Sequence, residues 1–148
     1  MLKKLKSRGG QAVVELAIAL PILLTVLCGI LDFGWIYVNQ YKVETAAYTA
    51  ARYAAMYDSV YTSDNGTYMN GIRDRVSGNL MGVTSGETAL SMNTEPAFSG
   101  TVTATVWVVR EDDSVSVTVR QRVRTLTFVA GTLFGTWYTA SSTSVTTI

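Results

Sequence analysis

The chain has 148 residues, with 12 Lys and Arg set against 11 Asp and Glu, for a formal net charge of +1. That length accommodates one small domain plus an anchor, and the near-neutral balance argues against a general nucleic-acid binder. With no histidine, one cysteine inside an apolar stretch, and no Gly-rich phosphate loop or metal-ligand cluster, no catalytic constellation can be assembled. The expectation is a non-enzymatic protein without metal or cofactor.

The charge is unevenly spread. Lys3, Lys4, Lys6 and Arg8 directly precede a nearly unbroken apolar run from Ala12 to Leu31. About 20 residues at 1.5 Å rise suffice to cross a roughly 30 Å hydrocarbon core as a helix. The basic cluster holds the N-terminus in the cytoplasm by the positive-inside rule, so everything after the run is expected outside. A signal peptide would have a shorter apolar part and a small-residue cleavage site, and none follows Leu31. Instead Asp32-Phe33-Gly34-Trp35-Ile36-Tyr37-Val38-Asn39-Gln40-Tyr41 mixes the aromatic residues of a membrane–water interface with polar residues that mark the exit. Cys28 follows Leu27, where a lipoprotein signal wants a small side chain, and reads as a small hydrophobe.

Within the run, Glu15 is the informative residue. A carboxylate costs on the order of 2.5–3.5 kcal/mol at bilayer centre and less near the interface, so its presence asks for a partner or for a side chain that snorkels out. Pro21 cannot donate to the carbonyl of Ala17 and is expected to kink or loosen the helix there.

Val38 to Tyr57 lacks Gly and Pro, so the helix is expected to continue beyond the membrane. From Gln11 to Tyr57 it would be roughly 70 Å long. Ala47, Ala50, Ala51, Ala54 and Ala55 form a smooth stripe at helical spacing, suited to close approach by another element of the same domain, while other faces stay open to neighbours. Asp58-Ser59 and Ser63-Asp64-Asn65-Gly66 end the long helix. These acids lack the alternating oxygen ligands of a calcium loop and read as turn residues. Tyr68, Ile72, Val76 and Leu80 then predict a short helix closing near Gly82, with Gly71 and Gly78 working against it.

From Glu87 the period becomes two. Thr88, Leu90 and Met92 suggest one strand before Pro96. Val102, Ala104, Val106 and Val108, then Val115, Val117, Val119 and Val123, predict a hairpin whose loop is Arg110 to Ser114. Asp112 and Asp113 are accordingly turn residues rather than a catalytic pair. Arg120, Arg122 and Arg124 share the opposite face, read as a solvated stripe that blunts edge pairing. Leu126 to Trp137, too short for a second crossing, is a loop or short helix covering one end of the sheet, or an exposed patch of Phe128, Leu133, Phe134 and Trp137. Tyr138 to Ile148 closes the sheet.

The predicted fold is thus α+β, a long N-terminal transmembrane helix packed on a small antiparallel sheet. Its divisions are a basic leader at 1–10, the helix at 11–57 with its membrane-spanning part at about 12–31, and an extracytoplasmic head at 58–148.

Several segments carry a family resemblance: Arg8-Gly9-Gly10, Gln11-Ala12-Val13-Val14-Glu15-Leu16-Ala17, Leu20-Pro21, Gly29-Ile30-Leu31-Asp32-Phe33-Gly34, and the Ala-rich stretch Thr45 to Ala54. Together they resemble TadE-like minor pilins, or pseudopilins, of the tight-adherence (Flp, type IVb) pilus machinery. The resemblance implies cleavage by a prepilin peptidase between Gly10 and Gln11 on the cytoplasmic side. It also implies partners in other pilin subunits and the pilus assembly platform, and work in adhesion or secretion. Cleavage would free an amine with pKa near 8 one helical turn from Glu15. Opposite unit charges about 4 Å apart gain roughly 4 kcal/mol at an effective dielectric near 20, comparable with the insertion cost of the acid. Leu16 stands where Flp major pilins usually carry tyrosine, and the chain is longer than those pilins, which favours a minor subunit. Two other readings stay open: an uncleaved scaffold of the export apparatus, and a membrane-tethered ligand-binding module.

Overall fold

The structure, a computed structural model, describes residues 8–57, 61 and 64–148. Lys3, Lys4 and Lys6, the expected orientation signal, lie outside the described residues, as do the side chain of Arg8 and the turn residues Asp58, Ser59 and Ser63. Helix α1 spans Arg8–Met56, 49 residues with Pro21 inside it, starting upstream of Gln11 and running about 70 Å. Helix α2 spans Asn65–Asn79, and a 3-10 turn at Ser85–Glu87 leads into strand β1, Thr88–Met92. Strands β2 (Ala104–Glu111) and β3 (Ser114–Arg124) follow, then the short helix α3 (Phe128–Phe134) and strand β4 (Trp137–Thr147).

The class is α+β as expected, but the sheet is mixed. Its order is β1-β2-β3-β4; β2-β3-β4 is antiparallel, whereas β1 runs parallel to β2 with Leu90 opposite Val106. Alternation in a sequence reports which face a side chain takes and is blind to strand direction. Here the connection after Met92 crosses the outer face of the sheet, where Glu95 pairs with Arg120 and Arg122 stacks 4.6 Å over the Phe98 ring. A crossover of this kind returns the chain to the same end, as parallel pairing requires. The arginine stripe is corrected accordingly. β3 is paired on both sides, so Arg120 and Arg122 pin a crossing segment instead of blunting an edge.

The hairpin turn is tighter than expected, reduced to Asp112 and Asp113 between paired Glu111 and Ser114. The inner face carries Val106 opposite Val119 and Val108 opposite Val117, all fully buried. Against it lies the alanine stripe of α1, with Ala46, Ala47, Ala50, Ala51 and Ala54 fully buried together with Val43. Alanine lets the helix axis approach the valine face without gaps that larger, flexible side chains would leave unevenly filled. Tyr68, Ile72 and Val76 of α2 complete the core, and the Asn79 amide donates to Thr49 Oγ1 at 3.2 Å, tying α2 to α1.

Gly71 has a packing reason that its sequence context hides. A Cβ there would stand 2.1 Å from the Tyr53 hydroxyl and 2.4 Å from Cζ, so α2 crosses α1 at this glycine.

Candidate anchoring and assembly site

α1 divides at Asp32 into two stretches with opposite surroundings. Before it, every large aliphatic side chain from Val13 to Leu31 is between 46% and 66% exposed. From residue 32 onward the helix is fastened to the head. Fully burying one such side chain is worth roughly 1.5–3 kcal/mol, so a bare stretch of this length demands an apolar solvent or apolar neighbours. The helix is long and apolar enough to cross a membrane.

Near the start of this bare stretch, Gln11 and Glu15 lie one turn apart on one face, and Gln11 Nε2 donates to Glu15 Oε1 at 3.2 Å. The Glu15 carboxylate is exposed. Gly10, Gln11 and Glu15 therefore sit together at the open end of the helix, away from the head. Pro21 lies within a helix assigned without interruption, and the Thr25 hydroxyl donates to the Pro21 carbonyl at 2.8 Å. Cys28 is a free, half-buried thiol.

The junction with the head is built on polar groups that pattern reading did not single out. Asp32 is buried to 4% exposure and accepts the backbone amides of Leu126 at 3.0 Å and Thr127 at 2.9 Å, together with the Thr127 hydroxyl. Burial alone would push its carboxyl up, but the hydrogen bonds from the Thr127 side chain and from the Thr127, Leu126 and Ala130 amides outweigh it and hold the carboxyl below the ordinary range. One turn on, Trp35 Nε1 donates to the Arg124 carbonyl at 3.0 Å, and Gln40 donates to the Ser141 carbonyl at 3.0 Å. Asn39, 1% exposed, donates to the Trp35 carbonyl of its own helix at 2.8 Å. The sequence signal for this clasp was an acid at the very end of the apolar run and a threonine immediately before Phe128, where it caps α3.

The 126–137 segment answers to the second of its two readings. Ala130 is buried, but Phe128, Leu133 and Trp137 are 84%, 70% and 59% exposed, so they do not cover the core, and the side chain of Phe134 lies outside the described residues. Among the described residues no group of His, Cys, Asp and Glu is placed to hold a metal ion.

The profile of the TadE-like protein family matches residues 10–52, from Gly10 through the bare helix, Asp32 and most of the alanine stripe. No curated protein and no solved structure matches the chain.

Proposed function

From the TadE-like match along α1, which points to a protein of the tight-adherence pilus system, we propose that the chain is a non-enzymatic, membrane-anchored minor pilin or pseudopilin. A prepilin peptidase removes residues 1–10 at Gly10-Gln11, and the new Gln11 amine becomes the countercharge for Glu15 of a neighbouring subunit. Residues 12–31 span the cytoplasmic membrane with the basic leader inside and the head outside. The observation that carries the reading is an apolar helix, matched by the family, whose large aliphatic side chains from Val13 to Leu31 are all exposed, with one carboxylate a single turn beyond the proposed scissile bond.

The charge arithmetic supports it. In lipid an unpaired carboxylate is costly, and a neighbour's amine arriving at that depth is the cheapest partner for it. Filament growth would then use the bare stretch twice, first against lipid and afterwards against the same stretch of other subunits.

A second reading, a permanent anchor of the export apparatus that is not cleaved, is favoured by the Gln11–Glu15 hydrogen bond, which partners the carboxylate within one chain. Intact mass of protein extracted from membranes of a strain carrying the pilus system separates the two. Loss of residues 1–10 is the expected result; material that retains them while still entering filaments would sink the pilin reading.

A further inference from the structure

Between Arg124 and Trp137, which face each other as the last pair of the β3–β4 ladder, the chain leaves the sheet and returns. The neck is closed by the Thr125 amide donating to the Thr136 carbonyl at 3.1 Å. The excursion beyond this neck contains α3 and extends toward the N-terminal, apolar part of α1. With α1 it forms a groove of about 540 Å³, lined by Thr25 and Gly29 on one side and Val129, Leu133 and Trp137 on the other, with Asp32 at its head. Thr25 lies about 10 Å along the helix from Asp32, on the side of the bare apolar stretch.

Three features of this excursion belong together. No charged side chain occurs anywhere from Thr125 to Ile148. Three of its large side chains point outward, with Leu126 56%, Phe128 84% and Leu133 70% exposed. Several of its polar groups are meanwhile satisfied internally. Asp32 takes the Leu126 and Thr127 amides, Thr127 caps Ala130 at 3.5 Å, and the Thr132 hydroxyl donates to the Phe128 carbonyl at 2.8 Å. A segment that faces water has no need to close its backbone groups on itself while presenting phenylalanine and leucine, whereas one facing hydrocarbon must do both. Arg124, exposed at the neck, stands where anionic headgroups would lie, and Trp137 takes the interfacial position favoured by its ring.

We propose that the 126–137 excursion is a second membrane contact, dipping into the acyl–headgroup boundary of the outer leaflet beside the exit of α1. The occupant of the groove is lipid. This rests on the anchoring part of the function above, because continuity with the bare stretch of α1 is what places the excursion at bilayer level. The head is then held at two points on the membrane, which fixes its tilt and rotation about α1 before any partner arrives.

The test uses the full chain, one copy per nanodisc of phosphatidylcholine and phosphatidylglycerol. An environment-sensitive fluorophore is attached in a Cys28→Ser background at Leu133→Cys or Phe128→Cys, with Ile22→Cys and Asp112→Cys as controls. The expected result is quenching at 133 and 128 by a nitroxide placed high on the acyl chain, loss of quenching by aqueous iodide, and the reverse pattern at 112, at the far end of the sheet. Iodide quenching at 133 and 128 with no nitroxide effect, while 22 is quenched by lipid, overturns this proposal alone. Absence of lipid quenching at 22 as well overturns the anchoring on which it rests. Protection of 133 that appears only when several copies share a disc assigns the patch to a second copy and also overturns the lipid assignment.

Discussion

Asp32 and Thr127, 95 residues apart, are joined twice: the carboxylate accepts the Thr127 amide at 2.9 Å and the Thr127 hydroxyl on its other oxygen. The bond closes the head onto α1 at the point where the helix changes from bare to packed. The bare, apolar part of α1 and the folded head are thereby tied together through one carboxylate.

Removing that acceptor tests the clasp. Asp32→Ala leaves the Leu126 and Thr127 amides without their partner in a part-buried setting, so backbone hydrogen exchange at both should accelerate by at least roughly tenfold. Exchange in Val106 and Val119, deep in the sheet, should stay slow. Equal acceleration throughout would mean that Asp32 supports the whole fold instead of the junction.

Glu15→Ala should leave the head intact and remove the chain from filaments. The side chain is exposed and makes no contact with the head, so thermal unfolding of the head should shift by less than about 0.5 kcal/mol equivalent, as for surface substitutions generally. Filament fractions probed by immunoblot should be depleted. Normal incorporation would remove the proposed countercharge role.

Gly71 and Gly78 of α2 should respond with opposite signs. Gly78 has open space around it, so Gly78→Ala gains helix propensity and should stabilise by about 0.5–1 kcal/mol. Gly71→Ala drives a methyl into the Tyr53 ring, which stacks on Tyr57 at 4.5 Å and carries Arg75 at 4.5 Å, and should cost about 1–3 kcal/mol despite the same propensity gain. Denaturant unfolding of both variants checks the contrast, and Tyr53→Ala should relieve the penalty at Gly71.

Enlarging the alanine stripe should push the helix and the sheet apart. Ala50 of α1 is fully buried in the core that the helix shares with the sheet, so Ala50→Leu should force the helix off the sheet at a cost of about 1–3 kcal/mol, read by chemical denaturation.

Acid should loosen α2 from its first turn. Asp64 caps the helix by accepting the Thr67 hydroxyl and the Thr67 amide, the latter at 3.2 Å, and these bonds hold its carboxyl below the ordinary value of 3.8. A depressed folded-state pKa contributes stability that is complete above the unfolded value and lost as pH falls through the folded one. Helical signal from residues 65–68, followed by NMR, should therefore be steady above the ordinary carboxylate range and decline below it. In Asp64→Asn that acid-dependent step should vanish.

Much of the architecture was legible in the residues. The long helix, its bare and alanine-striped halves, the valine hairpin and the short second helix all follow from hydropathy and period, because a side chain's burial depends on which face its own element turns inward. That Gln11 and Glu15 share one face of the helix is equally readable, since they sit one turn apart. The direction of β1, the interior place of β3 and the Asp32–Thr127 clasp were not. Each depends on which distant segments meet, and a period of two is identical for parallel and antiparallel neighbours. The outward turn of Phe128 and Leu133 belongs with these. An apolar run says that its side chains favour apolar surroundings, and only the packing of distant segments decided that Phe128 and Leu133 stay out of the protein core.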